Sequence, residues 1–382
     1  MTPEPLPAII AIITGERGHR EIVRPLAAVG VHCLVLDWTV LRARSRSPYP
    51  GFIRAVAHLI RARPGAIVFT DMDSGFLAVI LLIARRRRSR VILRLRGDPV
   101  AEARDQFRFH WSQRQWPQCV RAGLAWLLDR TLFLGVSRFV PVSHWIVRRL
   151  RLESRSTVVR IPVSLADFPQ REHHPASPLK LLAVTNFNYP QKVAALGRFI
   201  ADYGEYLQQH ETTLTIAGGG IAWEEFRTRY AGRAEFLGFV PEVASLYATH
   251  DAFVHFSDLD AFPYVVLEAQ ASALPVLVNR DCGMIEQVEH DLTGLIVDLP
   301  IRASVETRLA HLREPAFRTR LGVTARDHVA ETYSLEMIGR DLVKALTADD
   351  DAQSADRTWR TRLATLVDKV KELLNLRAPS AV

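Results

Sequence analysis

The sequence is poor in cysteine and has no long apolar run. Its 382 residues include only three cysteines, Cys33, Cys119 and Cys282, and none belongs to a CxxC pair. This spacing argues against a disulfide scaffold or a zinc cluster and fits a reducing compartment. The longest apolar runs, 8–13 and 76–84, are shorter than the ~20 residues that a membrane-spanning helix requires. No basic segment precedes the first run, so no signal peptide is evident and we expect a cytoplasmic protein.

Lysine is absent from the first 174 residues, whose 28 arginines and 13 acidic side chains give a net charge of +15. The remaining residues have 21 basic and 28 acidic side chains, a net charge of −7. A basic surface attracts phosphate groups, acidic glycans, nucleic acid or anionic lipid. The run ARRRRSR, basic from Arg85 to Arg90, lacks interleaved aromatic residues, so nucleic acid is not expected. The run is either a solvated helix end or an anchor on anionic lipid at the inner face of the cell membrane.

The hydrophobic fraction of 48% and the charged fraction of 24% are those of an ordinary folded protein long enough for two domains. Short apolar runs alternate with helical stretches, which predicts βαβ units and parallel sheets. A segment with three prolines, 168–178, is expected to be the linker. We therefore predict two doubly wound α/β domains, 1–170 and 178–347, facing across a cleft. The predicted strands are 8–13, 32–37, 66–70, 91–95, 138–142, 157–161, 180–184, 213–217, 234–236, 252–256, 276–279 and 294–297.

Residues 348–382 form an acidic linker followed by a candidate amphipathic helix. Its apolar stripe includes Trp359, Leu363 and Leu366, with basic residues elsewhere around it. Two interpretations stay open. The helix packs on the body of the protein or on a second copy as a homodimer contact, or it lies on a membrane surface.

The most informative stretch is SDLDAFPYVVLEAQASALPVLVN, residues 257–279. A predicted strand ends before it, a loop carries Asp258 and Asp260, and a helix is expected to begin near Tyr264 with Glu268 in its second turn. The unpaired amide groups of a helix N-terminus make an anion site. Two carboxylates eight residues apart therefore flank a candidate phosphate site.

This stretch resembles the acid-x7-acid signature of retaining glycosyltransferases of family 4, which belong to glycosyl transferases group 1. The usual text there is close to E-G-F-G-x-x-x-L-E-A-x-A-x-G-x-P-V, and this chain has DAFPYVVLEAQASALPV. Asp260 replaces the first Glu, while Ala261, Pro263 and Ala273 replace glycines. These changes keep the carboxylates but reduce the backbone freedom of the loop.

Further matches follow in the family's order. TLTIAGGG contains Gly219, FLGFV contains Gly238, Phe239 and Val240, and residues 281–297 resemble the family's G-G-x-x-E stretch. Lys192 is similar to the family's phosphate lysine, whereas Asn186 stands where an arginine is usual. Agreement of several spaced segments is a stronger signal than any one of them.

The resemblance implies a GT-B fold and a metal-independent transfer of a sugar from a nucleotide-sugar donor, with retention of configuration. It places the donor on the second domain, with Asp260 on sugar hydroxyls and Glu268 on the ribose. Phe239 and Val240 lie beside the base, and Lys192 binds the diphosphate, helped by an arginine from the first domain. The other donor-binding positions are Gly219, Gly238, Ala261, Phe262, Pro263 and Tyr264. The acceptor is expected to be a glycan or a lipid-linked molecule, anionic in view of the basic first domain.

In the first domain, ITGERGHR places Gly15 and Gly18 after the first strand, either as a phosphate-approaching turn or as a plain turn. Arg96 and Asp98 of RLRGDP occupy the loop where the family often has a histidine facing the acceptor. They are candidates for positioning the acceptor, with a loop ion pair as the alternative.

Two D-x-D pairs, Asp71 with Asp73 and Asp258 with Asp260, are the remaining candidates for a metal site. A hard cation needs several oxygen ligands and each pair stands alone, so we predict neither a metal nor another cofactor. Two alternative functions remain. One is a catalytically impaired protein that binds nucleotide sugars, and the other is an epimerase or phosphorylase of the same architecture.

Overall fold

The computed structural model describes residues 9–37, 39–40, 66–71, 80–81, 83–84, 89–170 and 178–348. The predicted C-terminal helix, Asp73 and the arginines at 85–88 lie outside these ranges. Two parallel sheets, one in each half of the described chain, organise the fold.

The first sheet has five parallel strands in the order β2-β1-β3-β4-β5. Every residue of β1 and β3 is buried, as is typical of a parallel sheet covered on both faces. The strands are β1 Ile9–Ile13, β2 Leu34–Asp37, β3 Ile67–Thr70, β4 Arg90–Leu95 and β5 Arg138–Pro141. The helices are α1 Gly15–Gly18, a π-helical turn His19–Val23, α2 Arg24–Ala28, α3 Pro99–Ser112, α4 Trp116–Leu132 and α5 His144–Leu150.

The second sheet has six parallel strands in the order β11-β10-β9-β6-β7-β8. The strands are β6 Lys180–Val184, β7 Thr213–Ala217, β8 Glu235–Gly238, β9 Ala252–His255, β10 Val276–Asn279 and β11 Leu295–Val297. The helices are α6 Pro190–Gln209, α7 Trp223–Arg229, α8 Ala244–Thr249, α9 Tyr264–Ala271, α10 Arg302–His311, α11 Pro315–Thr332 and α12 Leu335–Thr347. Short 3₁₀ turns are Phe133–Gly135, Glu153–Arg155, Leu165–Asp167 and Gly283–Glu286.

Both sheets have a point where the strand order reverses, between β1 and β3 in one and between β6 and β9 in the other. Ligands of doubly wound sheets bind at such points, beyond the carboxyl ends of the strands. The predicted pair of Rossmann-like domains facing across a cleft, the GT-B architecture, is confirmed.

The predicted strand at 157–161 is wrong. The amides of Thr157 and Val159 donate to β5, at 3.0 Å each, so the segment runs beside the sheet. Its carbonyl groups point elsewhere, because those of Val159 and Arg160 accept hydrogen bonds from the Arg94 guanidinium at 2.6 and 2.9 Å. The buried Arg94 side chain thus binds the carbonyl groups that would otherwise pair with a further strand.

The last helix, α12, returns to the first domain. Ile338 and Leu342 are buried in the same cluster as Ile22 and Leu26 of the first domain. Gly339 lies against the Pro25 carbonyl, where a Cβ would collide with that oxygen. The sequence assigns residues up to 347 to the second domain, whereas this helix packs on the first. The domain boundaries themselves stay a prediction.

Glu286 of the second domain caps the N-terminus of α5 in the first. Its carboxylate accepts from the amides of His144 at 3.0 Å and Trp145 at 2.7 Å, and Arg160 lies 2.7 Å away. A negative charge at a helix N-terminus is stabilised by the unpaired amides and the helix dipole. This contact ties the two domains together at one edge of the cleft.

Candidate active site

The loop between β9 and α9 is fixed by short polar contacts. Ser257 Oγ accepts hydrogen bonds from the amides of Leu259 and Asp260, each at 3.2 Å. The Ser257 amide in turn donates to Asn279 Oδ1 on the neighbouring strand at 2.9 Å. As predicted, a helix begins at Tyr264. The loop therefore holds Asp260 in one place at the carboxyl edge of the sheet.

Asp260 forms the centre of a buried charge cluster. Lys192 Nζ lies 2.6 Å from its Oδ1 and His255 Nε2 lies 2.8 Å from its Oδ2. Burial opposes ionisation of this carboxyl, but the Lys192 ammonium and the His255 ring together lower its pKa below the usual value. Lys192 follows β6 and Asp260 follows β9, and these strands are neighbours at the point where the strand order reverses.

A cavity of about 680 Å³ opens beside this cluster, between the two domains. Its second-domain wall includes predicted site residues on three loops and α9, and its first-domain wall carries Arg17, Glu21 and Arg96. The predicted site residues that line it are Lys192, Gly219, Phe239, Val240, Asp260, Phe262, Pro263, Tyr264 and Arg96. Those that do not are Gly15, Gly18, Asp98, Gly238, Ala261 and Glu268.

The glycine loop after β7 packs closely against the segment that follows the neighbouring strand β6. It also lines the cavity. Gly218 and Gly220 have φ of 153° and 147°, and a Cβ on either would collide with the backbone near Thr185 or Phe187. Between them Gly219 faces the cavity. This backbone therefore approaches a bound molecule without an intervening side chain.

Glu268 is buried on α9 and faces the first domain. Its carboxylate accepts hydrogen bonds from Arg20 at 3.3 Å and from the Tyr247 hydroxyl at 3.2 Å. The Arg20 guanidinium also lies over the Tyr264 ring, 4.9 Å from its centroid. Glu268 is thus held in a contact between the domains, one helical turn behind the cavity wall.

Gly15 and Gly18 form a turn on the first domain. The Gly15 amide donates to Asp37 at 3.1 Å, and Gly18 packs where a Cβ would collide with Ile13. The same short helix presents Arg17 to the cavity. Arg17 is exposed and has no hydrogen bond or ion pair with any residue that the structure describes.

Arg96 and Asp98 of the RLRGDP loop have different surroundings. Arg96 lines the cavity and pairs with Glu21 at 2.7 Å and Asp71 at 2.5 Å. Asp98 is the N-cap of α3, because its carboxylate accepts from the Ala101 amide at 2.9 Å, and it also pairs with Arg149. Asp98 therefore does not face the cavity.

Sequence analysis missed two carboxylates, the buried Glu21 and the half-buried Glu102. Burial acts against ionisation of Glu21, but Arg96 and Arg94 lower its pKa. Glu102 on α3 lies near Lys192 and Tyr189, and burial raises its pKa to about 7. Gly97 leaves space for that carboxylate, since a Cβ there would collide with it. Neither residue belongs to a local motif, so no sequence signal singles it out.

The described aspartates of the D-x-D pairs are engaged in ion pairs. Asp258 binds Arg198 through both oxygens at 2.7 and 2.8 Å, and Asp71 binds Arg96. Among the residues that the structure describes, no group of three or more His, Cys, Asp or Glu side chains is placed to hold a metal ion. The metal-free reaction stays a prediction. Within the same residues, no helix is both long and apolar enough to cross a bilayer.

Residues 178–312 match the sequence family described as glycosyl transferases group 1. This segment contains Lys192, Asp260 and the rest of the second-domain cavity wall. The fold is therefore of the GT-B type, and its segment 178–312 is similar to the group 1 glycosyl transferase domain.

More particular similarities exist to curated and solved proteins. The chain is 26% identical over 167 residues to the N-acetyl-alpha-D-glucosaminyl L-malate synthase of Bacillus anthracis, which covers 41% of this chain and 42% of that protein. It is 29% identical to a GDP-mannose-dependent phosphatidylinositol monomannoside mannosyltransferase of Mycobacterium tuberculosis, over 37% of this chain and 40% of that one. The chain thus spans less than half the length of either relative.

The crystal structure of Anabaena HepE in complex with UDP superposes with a TM-score of 0.61 at 15% identity. The superposition covers 89% of this chain and 99% of HepE. At this identity the likeness shows the fold alone, and it agrees with the two facing sheets described above.

Proposed function

We propose that this protein is a retaining, metal-independent glycosyltransferase that moves a sugar from a nucleotide-sugar donor to a glycan or lipid-linked acceptor. One observation carries the proposal. The Lys192–Asp260 ion pair, 2.6 Å long, stands on the wall of an interdomain cavity within the segment that matches the group 1 family. A cation for a leaving phosphate and a carboxylate for sugar hydroxyls are thereby adjacent.

The cavity has the size and lining for a nucleotide sugar. Its volume of about 680 Å³ lies within the range of small-molecule sites. Phe239 is 78% exposed at its edge and offers a ring face for the base, next to Val240. The Gly219 backbone and the N-terminus of α9, with Pro263 and Tyr264, border the space between base and sugar.

The charges favour a diphosphate between the domains. Asp260 largely neutralises Lys192, so this pair alone offers little net attraction to an anion. Arg96 is likewise paired with Glu21 and Asp71. Arg17 on the facing wall is unpaired among the described residues, and we assign it the role of the arginine that Asn186 replaces.

The family resemblance supports the following course of transfer. The acceptor hydroxyl oxygen bonds to the anomeric carbon on the face from which the diphosphate departs, and the bond to the diphosphate oxygen breaks. The hydroxyl proton passes to a leaving phosphate oxygen. Negative charge grows on the diphosphate, where Lys192 and Arg17 stabilise it, while Asp260 holds the sugar hydroxyls.

Glu268 is assigned to the donor ribose, as the family resemblance implies. In the structure its carboxylate is held by Arg20 and Tyr247. Donor binding on this assignment requires Arg20 to shift or to share the carboxylate. The alternative is that Glu268 only joins the domains.

An anionic acceptor suits the basic first domain, whose first 174 residues carry +15. The mycobacterial relative is named as acting on a phosphatidylinositol mannoside, which supports a lipid-linked acceptor here. We place the protein in the cytoplasm, at the inner face of the membrane. The names of the relatives do not favour an epimerase or a phosphorylase.

Incubation with UDP-, GDP- and ADP-sugars, followed by measurement of nucleotide release and binding, tests the proposal. Release from at least one sugar is expected, and it should fall in Lys192→Ala. Lys344→Ala, which breaks the exposed Lys344–Asp341 pair, is the matched control. Binding without release or transfer would favour the catalytically impaired alternative, and no binding at all would contradict both.

A further inference from the structure

Helices α3 and α4 form an antiparallel hairpin whose tip borders Ile221 and Glu225 of the second domain and does not line the cavity. The turn is closed by the Gln113 and Gln115 amides, which donate to Phe109 and His110 at 3.1 and 2.9 Å. Cys119 is buried in α4. The hairpin is therefore a packed element with a defined outer side.

The outer side of this hairpin is apolar and exposed. Trp111, Trp116, Val120 and Leu124 each have more than half of their surface accessible. The two tryptophans flank the turn and pack edge to face, with ring centroids 5.1 Å apart. Trp116, Val120 and Leu124 are spaced by four residues, so they share one side of α4. We call these four residues the tryptophan face.

Glu225 of α7, which lies beside the hairpin tip, is paired with Arg229. The exposed charges of the hairpin itself are all positive. Between residues 99 and 124 they are Arg104, Arg108, Arg114 and Arg121. The acidic residues of this range lie elsewhere. Glu102 is near Lys192 in the cleft, and Asp105 accepts from the Gln191 amide of the second domain at 2.9 Å.

Tryptophan beside arginine on an exposed helix is typical of elements that lie in the headgroup region of a bilayer. A second copy of this chain would bring the same arginines together and is disfavoured by their repulsion. An anionic lipid surface complements them.

We propose that the tip of the α3–α4 hairpin binds an anionic membrane surface, with Trp111 and Trp116 among the lipid headgroups and the four arginines on lipid phosphates. This orientation suits the proposed function. Membrane binding itself does not depend on that function, and only its biological purpose rests on it. Helix α3 begins beside the cleft at Pro99 and has 14 residues, a length of about 21 Å. The cavity would then stand roughly this far from the membrane, within reach of a lipid-linked acceptor.

Flotation with vesicles of phosphatidylcholine alone, and of phosphatidylcholine with phosphatidylglycerol, tests the proposal. The protein is expected to bind only the anionic vesicles, and less at high salt. Arg114→Gln/Arg121→Gln should reduce the partition coefficient roughly 30-fold, at about 1 kcal/mol for each basic residue. The charge-matched control is Arg302→Gln/Lys344→Gln, at exposed positions of α10 and α12.

Insertion of the tryptophans has its own measurement. Brominated lipid should quench the fluorescence of the protein, and Trp111→Phe/Trp116→Phe should remove most of that quenching. Trp111→Ser/Trp116→Ser should weaken flotation about tenfold or more, while Leu292→Ser/Ile301→Ser, at exposed apolar positions of the second domain, should not.

Three outcomes would overturn the inference: absence of binding to anionic vesicles, binding that the tryptophan and arginine variants leave unchanged, or a dimer in solution that the tryptophan variants convert to a monomer without affecting flotation. Nucleotide binding, measured on the same variants, separates this result from the proposed function. It should be unchanged in every hairpin variant. A protein that binds vesicles through the hairpin but no nucleotide would contradict the proposed function alone.

Discussion

The two walls of the cleft are built in different ways. The second-domain wall comes from loops that follow neighbouring strands, and its charges, Lys192, Asp260 and His255, form one compact cluster. The first-domain wall is a network of arginines and acids in which Glu21 pairs with both Arg94 and Arg96. The first wall thus contains more charge, yet most of it is already paired.

This difference bears on how a donor would be held. Paired charges fix geometry but attract an additional anion weakly, whereas an unpaired cation attracts it directly. On the second wall Lys192 is positioned by Asp260, and on the first wall Arg17 is free among the described residues. We expect the second wall to decide catalysis and the first to decide affinity for the diphosphate.

The largest effect is expected at Lys192. Lys192→Ala removes the cation nearest the leaving phosphate and leaves Asp260 buried without its main partner. Nucleotide release should fall by about 10²–10³-fold, as for other groups that stabilise charge in a transition state. The measurement is the initial rate of release from the best donor sugar. A loss equal to that of Lys344→Ala would contradict the role of the second wall.

Glu102 should make the stability of the protein depend on pH. Burial raises its pKa to about 7, above the ordinary value near 4.3, so the folded state holds this proton more tightly than the unfolded state. The stability this provides is fully present below the unfolded pKa and is lost as the pH rises from there through 7. Glu102→Gln should escape that loss, so its stability relative to wild type should rise by up to about 3 kcal/mol between pH 4 and 8.

Urea unfolding of both proteins at several pH values checks this expectation. Glu331→Gln, at an exposed position, is the matched control and should give a constant difference from wild type. A constant difference for Glu102→Gln as well would mean that the carboxyl is not desolvated as the structure indicates.

The second wall could be predicted from sequence because its parts are local. Asp260, Tyr264 and Glu268 lie within nine residues, so a strand end, a loop and a helix start fix their relation. Lys192 was found through the order of motifs along the chain. The partner of Glu268 could not be predicted, since Arg20 is 248 residues away in sequence.

The first wall depends on contacts that no short pattern encodes. Glu21 meets Arg94 and Arg96 only once β1 and β4 lie in one sheet. The strand predicted at 157–161 is wrong for the same reason. Its apolar residues are typical of a strand, but its carbonyl groups accept hydrogen bonds from the distant Arg94. The sequence pointed to Gly15 and Gly18, whereas the residue of this turn that lines the cavity is Arg17.

A smaller effect is expected at Arg17. Arg17→Ala should weaken binding of UDP or GDP by about ten- to a hundredfold, the usual range for a hydrogen bond to a charged group, and should leave nucleoside binding unchanged. Calorimetric titration with nucleotide and nucleoside separates the two. Arg24→Ala, at an exposed arginine of α2 that is paired with Glu16, is the control. Equal losses for nucleoside and diphosphate would show that Arg17 acts on the fold instead.

The most informative change concerns Glu268, the residue where the two walls meet. If it holds the ribose, Glu268→Ala should weaken nucleotide binding by about 1–3 kcal/mol, and the 2′,3′-dideoxynucleotide should lose little further affinity in this variant. If it only joins the domains through Arg20, Arg20→Ala and Glu268→Ala should lower the free energy of unfolding alike, and neither should discriminate the two nucleotides. Titrating both nucleotides into both variants decides between these roles, because a residue that only holds the domains together does not contact a ribose hydroxyl.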